Sequence, residues 1–293
     1  MANKYFILFL FIFALGIISI QCKNKALQNI ETEYTALINA GKYDESVILL
    51  RKAAEQGNAK AQCDLGIIYS KGEGVLQDKT EAVKWFRKAA EQGGQEAQYN
   101  LGNTYLYGDG ISQDKAEAIS WFRKSAEQGD AAAQHNLGVC YREGEGVSQN
   151  KGEAANWFRK AAEQGNISSQ TCLGYAYYNG EGVLQDKIEA LSWFRKSADQ
   201  GDPKSQNNLG IMFQNGEGVL QDKTEALNWF RKSAEQGNVT AQFSLAQCYL
   251  LGVGTTIDKS KAAFWAKKAY DSGNTDVRLK AFWERNGLWK YKQ

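Results

Sequence analysis

Two stretches of the chain place a serine hydroxyl one helical turn ahead of a lysine amine: Ser112-Gln-Asp-Lys115 and Ser148-Gln-Asn-Lys151. At that spacing an amine can take the proton of a nucleophilic alcohol in acyl transfer. The other candidate nucleophiles are Cys22, Cys63, Cys140, Cys172 and Cys248, and the glycine pairs Gly72/Gly74 and Gly108/Gly110 are candidates for cradling a phosphate or folding around calcium. Arg87-Lys88 and its recurrences could form a basic stripe. Histidine chemistry rests on His135 alone, because the chain has one histidine, which excludes a multi-histidine metal centre. With 35 lysines and arginines against 33 acids, the net charge of +2 supplies no general field for nucleic acid.

What must position these residues is a period. Trp85, Trp121, Trp157, Trp193, Trp229 and Trp265 follow one another at intervals of 36 residues without a gap. Six units result, 58–93, 94–129, 130–165, 166–201, 202–237 and 238–273, and each closes on glycine. A degenerate unit, 22–57, keeps the closing RKAAEQG but has Leu49 in the tryptophan position. The 29 glycines beside a single proline fit helix ends and tight turns repeated many times.

Each unit spells a helical hairpin. Asn or Asp at the first position suits a helix N-cap, and Pro203 falls next to it, where proline costs no hydrogen bond. Helix A then runs through Ala61, Gln62, Leu65, Gly66 and Tyr69 to Gly72. Asp78 with Glu81 has capping-box spacing, as do Asp114/Glu117, Asn150/Glu153, Asp186/Glu189 and Asp222/Glu225. Helix B starts at the lysine between each such pair and carries apolar residues at i, i+3, i+4, i+7 and i+8. One hairpin buries too little apolar surface to offset the entropy of ordering its residues, so neighbours must stack, with Gly66, Ala82, Ala89 and Ala90 as points of close approach. After Gly273, a helix capped by Asn274 within 274–293 is expected to cover the last hairpin.

The pattern A-x-A-Q-x-x-L-G-x-x-Y-x-x-G-x-G-V-x-x-D-x-x-E-A-x-x-W-F-R-K-A-A-E-Q-G resembles the Sel1-like repeat, a relative of the tetratricopeptide repeat. It covers 58–273 clearly and 22–57 weakly. The resemblance implies an all-α fold, a right-handed superhelical solenoid of antiparallel helix pairs that holds partner proteins, often in the bacterial periplasm, secreted or lipid-anchored. A cysteine-rich branch of the family has hairpin disulfides and is assigned penicillin binding and weak β-lactamase activity. Here Cys63, Cys140, Cys172 and Cys248 fall one per unit, at positions 6, 11, 7 and 11, so no hairpin contains a pair.

Against that framework most of the candidate chemistry becomes architecture. The lysine of Ser112-x-x-Lys115 recurs in every unit as the first residue of helix B, the serine position holds Leu76, Leu184 and Leu220 elsewhere, and the K-T-G and S-D-N companions of serine β-lactamases are absent. Cys140 and Cys248 share a face with the core leucine and read as small buried hydrophobes, whereas Cys63 is a candidate exposed, reactive thiol that, with no histidine near it in the sequence, is weak evidence for catalysis. The glycine pairs follow helices, lack G-K-S/T, and are turns. Arg87-Lys88 reads as a solvated face offset by Glu91. No metal and no cofactor is expected.

Positions that differ between units remain for function. At about 100° per residue, positions 4, 5, 8, 11 and 12 of helix A face inward, and positions 3, 6, 10, 13 and 14 face the opposite way. By resemblance to tetratricopeptide arrays that second face lines a concave groove. It carries Tyr99, Asn103, Leu106 and Tyr107, then His135 and Arg142, then Tyr175 and Tyr178, then Asn207, and last Phe243. Tyrosine and arginine are the residues expected of interface anchors. The expected role is a non-catalytic scaffold for a partner protein or peptide, with a cell-wall enzyme or a glycan or peptidoglycan binder as the alternative.

At the other end, the apolar run Tyr5–Ile20 behind Lys4 reads as an export signal over 1–21, too short for a comfortable membrane span. Cys22 resembles the lipidated cysteine of bacterial lipoproteins, although Gln21 stands where that motif has a small residue. Lipidation at Cys22, cleavage nearby and an uncleaved short anchor all place the rest outside the cytosol, in the periplasm, secreted, or tethered to the cell envelope.

Overall fold

The computed structural model describes residues 28–272, 284–287 and 290. The expected signal over 1–21, Cys22 and most of the helix expected within 274–293 lie outside the described residues. All regular structure among the described residues of 28–272 is helical: α1 (28–39), α2 (Tyr43–Glu55), α3 (Ala59–Lys71), α4 (Lys79–Glu91), α5 (Gln95–Tyr107), α6 (Lys115–Glu127), α7 (Ala131–Glu143), α8 (Lys151–Glu163), α9 (Ile167–Asn179), α10 (Lys187–Asp199), α11 (Pro203–Asn215), α12 (Lys223–Glu235), α13 (Val239–Leu251) and α14 (Lys259–Asp271). The chain divides into two compact units, Met1–Ala133 with Glu145–Val147, and Gln134–Gly144 with Ser148–Gln293. In the first, α2 through α6 pack each against the next; in the second, α8 through α14 do so.

The helix boundaries have local causes. Asn58 Oδ1 accepts from Ala61 N at 2.8 Å and starts α3, and Gly72, with φ of +75°, ends it in the left-handed region that side chains disfavour. Asp78 Oδ1 accepts from Glu81 N at 2.9 Å and starts α4. The second half of the expected capping box is not made. The Asp78 backbone N–H instead donates to the Tyr69 carbonyl at 2.9 Å, closing the loop on the preceding helix, and Asp114, Asn150, Asp186, Asp222 and Asp258 repeat that bond. The displaced glutamates are left for other work: Glu117 accepts from Trp121 Nε1 at 2.9 Å and Glu189 from Trp193 Nε1 at 3.0 Å.

In the first unit the core is built on Leu65, Leu101 and Phe122, and in the second on Leu137, Leu173, Leu209 and Leu245 with Phe194 and Phe230, all completely buried. The glycine of helix A is required by a near-contact inside the hairpin. A Cβ on Gly66 would lie 2.6 Å from Phe86 Cδ1, and one on Gly102 the same distance from Phe122. The last hairpin exchanges both members of the pair, with Ala246 and Ala266 in the places of glycine and phenylalanine, and both are fully buried.

Hairpins are joined by buried amides. Gln62 Nε2 donates to Ala54 O on the preceding helix B at 2.9 Å, while its Oε1 accepts from Gln92 Nε2 at 2.6 Å. Gln98, Gln170 and Gln206 repeat both bonds, to Ala90, Ala162 and Ala198 and from Gln128, Gln200 and Gln236. At the last hairpin the donor position holds Ser272, and the fully buried Gln242 keeps its bond to Ala234 O at 3.2 Å but has no partner at Oε1. The closing R-K pair lies on a solvated face as its sequence suggests, with Lys88, Lys124, Lys160, Lys196 and Lys232 exposed, and it also makes structural contacts. Arg159 Nη2 donates to Tyr177 Oη at 2.8 Å and Arg231 to Tyr249 at 3.3 Å, Arg51 and Arg87 make the same bond to Tyr69 and Tyr105, and the lysine lies over the tryptophan ring, as Lys124 does at 3.8 Å from Trp121.

The glycine–phenylalanine contact predicts a coupled pair. Gly102→Ala is expected to cost about 1–3 kcal/mol through overpacking, and that cost should vanish in a Phe122→Ala background. Urea unfolding followed by tryptophan fluorescence measures the cycle; additive costs would show that the two side chains do not compete for one space.

Candidate functional site

Grooves open where successive A helices lie side by side, at equivalent places in the two units. In the first unit Ile67, Ser70 and Lys71 of α3 face Asn100, Asn103 and Tyr107 of α5 across a groove of about 190 Å³, with Phe86 beneath. In the second, Arg142 and Glu143 of α7 face Cys172 and Tyr175 of α9 across about 360 Å³, with Phe158 beneath and Lys151 and Glu181 at the edge. Of the residues expected on the binding face, the structure therefore brings Asn103 to Tyr107, and Arg142 to Tyr175. Tyr107 is 70% exposed and Tyr175 40%.

The others are held more tightly than an open wall would hold them. Tyr99 is half-buried, its ring tilted against Phe122 at 6.1 Å, and Leu106 is half-buried, its carbonyl accepting from Gln113 Nε2 at 2.7 Å. His135 is half-buried, with Nδ1 2.8 Å from Ser169 Oγ and its ring 5.6 Å from Phe158; burial first and Arg142 second push its pKa down, so the imidazole is neutral at pH 7. Tyr178 lies under the Lys187 amine, 3.0 Å from ring centroid to nitrogen, and burial with Glu217 pushes its hydroxyl up to about 12. Phe243 is half-buried against the second unit's core. Asn207, expected on the exposed face, is instead buried, with Oδ1 unpartnered.

Asn207 marks a general correction to the helix-wheel reading. Position 6 sits at the seam between hairpins: Cys63 and Thr171 share it and are buried too. Thr171 Oγ1 lies 2.9 Å from Ser205 Oγ and 2.8 Å from Ser197 Oγ, bridging α9 to the next hairpin. Cys63, the candidate reactive thiol, is buried and has its thiol pushed up to about 12, chiefly by burial and then by Glu96 and Asp64, so at neutral pH it is not a thiolate. Cys140 and Cys248 are buried as expected, and Cys172 is half-buried with Arg142 Nη1 3.4 Å from its sulfur. The lysines of the two S-x-x-K stretches pair forward along the array, Lys115 with Glu145 at 3.2 Å and Lys151 with Glu181 at 3.3 Å, while Ser112 and Ser148 are exposed. Among the described residues, no three His, Cys, Asp or Glu side chains gather where they could hold a metal.

Two features escape sequence reasoning. The loop leucines Leu76, Leu184 and Leu220 are at least 90% exposed, although the surrounding G-E-G-V-L-Q pattern gives no cue to which apolar residue turns outward. The first unit also holds a polar cluster. Lys60 Nζ reaches Glu31 Oε1 at 2.9 Å, and Asp64 nearby is raised from an ordinary 3.8 to about 6, by burial above all and against the pull of Lys60. Glu96 and Glu31 add to the rise.

Comparison with known proteins follows the same period. The model of the Sel1 repeat matches residues 41–58, 59–94, 95–130, 131–166, 168–202, 203–238 and 239–274. The crystal structure of c5321, a protective antigen present in uropathogenic Escherichia coli strains and displaying an SLR fold, superposes with a TM-score of 0.84 at 36% identity over 90% of this chain; the match spans 58% of that protein's length. A Sel1 repeat protein from Oxalobacter formigenes superposes with a TM-score of 0.73 at 36% identity, over 82% of this chain and 96% of its own. No curated protein sequence matches the chain.

The raised Asp64 acidity has a definite sign. A carboxyl whose folded pKa exceeds its unfolded value stabilises the fold when protonated, and that contribution is lost as pH rises from about 4 through about 6. Asp64→Asn is therefore expected to melt higher than wild type at pH 7, and the gap should close by pH 4; a variant that melts lower at pH 7 would show that the ionised carboxylate is needed.

Proposed function

Because the chain belongs to the Sel1 repeat family, whose members are generally non-catalytic scaffolds for protein interaction, we propose that it is itself such a scaffold and holds a partner protein or peptide in the grooves between its A helices. The observation that carries this reading is the contrast between framework and groove. The buried leucine, the bridging glutamine and the arginine–tyrosine tie recur from hairpin to hairpin, whereas the groove position that holds Ser70 in the first hairpin holds Leu106, Arg142, Tyr178, Gln214 and Leu250 in those that follow. Where grooves open at that position, beside Ser70 and beside Arg142, the residue is unlike its counterparts in size and charge. Tyr107 and Tyr175 give the grooves exposed aromatic area with a hydrogen-bonding tip, at a low cost in side-chain entropy.

The same reading puts the scaffold outside the cytosol. Tyr5–Ile20 has the length and flanks of an export signal, and Cys22 stands where lipid attachment would tether the chain to the envelope.

Affinity capture with the intact chain tests the grooves. A Tyr107→Ala, Arg142→Ala, Tyr175→Ala variant with unchanged helicity and melting should lose the partners retained by wild type, and an unchanged set of captured proteins would move the binding surface elsewhere. Fractionation tests the tether: Cys22→Ser should shift the protein out of the membrane fraction, and continued membrane retention would remove the lipid.

A further inference from the structure

We propose that the groove between α7 and α9 takes a carboxylate of the partner together with an adjoining apolar side chain. The inference rests on the scaffold reading and names what one of its grooves recognises. Arg142 is the centre of the argument. Its guanidinium lies over the Phe158 ring, 5.6 Å from the centroid, and is half-buried in the groove wall. Its Nε donates to Glu143 at 2.7 Å, and Nη1 reaches only the Cys172 sulfur, at 3.4 Å. A thiol is a weak acceptor, whereas a guanidinium edge is shaped for two carboxylate oxygens.

The surroundings complete the charge pattern. Lys151 at the groove edge is paired with Glu181 at 3.3 Å, His135 is neutral at pH 7, and Asp202 and Lys204 oppose one another near Cys172. Glu143 holds the Nε side of Arg142 and is itself about half exposed, so it can swing into water when a ligand carboxylate arrives. Beside the cation the floor is apolar, made by Phe158, Ala154, Ala155 and Ala176, with Tyr175 above. At about 360 Å³ the groove lies near the lower end of the ~300–1,000 Å³ range of ligand sites, which suits one or two side chains of a longer segment. The equivalent groove of the first unit serves as an internal control: Ser70 and Asn100 stand in the places of Arg142 and Cys172, and the cation in its wall, Lys71, is paired with Glu73 at 3.6 Å and has no ring beneath it comparable to Phe158 under Arg142.

Fluorescence anisotropy on the intact protein tests this with three probes that carry an uncharged boron-dipyrromethene dye at the N-terminus: dye-Gly-Gly-Leu-Phe with a free C-terminal carboxylate, the same peptide as its C-terminal amide, and dye-Gly-Glu-Leu-Phe amide. The expected result is that at least one acid-bearing probe binds roughly tenfold or more tightly than the plain amide; which one does so separates a chain terminus from a glutamate side chain. Arg142→Gln should abolish that preference, Arg142→Lys should retain part of it, and Ser70→Ala should leave it intact. Equal binding of acid and amide, a preference that survives Arg142→Gln, or binding by none of the probes up to millimolar concentration would overturn the proposal. If acid and amide bind equally and both weaken in Tyr175→Ala, the groove remains a docking site without carboxylate recognition. An unchanged set of captured proteins in the preceding experiment, by contrast, is what would count against the groove-scaffold reading itself.

Discussion

A buried carboxamide must find partners for both its ends or carry the full cost of its desolvation. In this chain that requirement falls on the glutamine at the fifth position of each hairpin, and the way it is met sets the geometry of everything around it. Gln98, for instance, donates backward to Ala90 and accepts from Gln128, so three helices are brought into one register by a single side chain. Apolar burial alone is non-directional and tolerates sliding. The amide pair does not, and it holds successive A helices in the juxtaposition from which the grooves arise.

The stacking of hairpins through their own helix faces also explains why the loops can be short and the glycines obligatory. Phe86 and Phe122 fill the space that a Cβ on Gly66 or Gly102 would need, so the two helices of a hairpin approach to ring thickness. Ala246 with Ala266 is a second solution to the same volume problem, with the bulk removed from the ring and a methyl added on the facing helix. Both solutions keep the interior filled, which is the condition for a single well-ordered arrangement.

Much of this was legible from residue spacing. The 36-residue interval, the Asn and Asp caps, the closing glycines and the core leucines follow from backbone chemistry that acts within a few residues, and the helices start and stop where those signals stand. Misreadings arose wherever a side chain answers to a partner brought beside it by the packing of another turn or another helix. Glu117 looks like a capping-box partner until Trp121 and the Tyr105 carbonyl are in place, and Arg159 looks solvated until Tyr177 is beside it. Cys63 and Asn207 sit on what a helical wheel assigns to the outer face, because a wheel has one inside direction and a helix between two hairpins has two. The binding face was legible only as a set of variable positions; which of them gather into a groove depends on the separation of adjacent helices, which no single helix encodes.

The bonds that tie the helices together have one more property in common: each is specified by a fixed sequence offset, 8 residues between hairpins and 30 within one for the glutamines, and 18 for arginine to tyrosine. Deleting or duplicating a whole 36-residue module therefore restores every partner with a copy of itself. Copy number can drift by recombination between near-identical stretches of gene without any compensating substitution. The exception is the 238–273 copy, where Ser272 stands in the donor position and leaves the Gln242 acceptor without a partner, a gap that a glutamine at 272, and not a further module, would close.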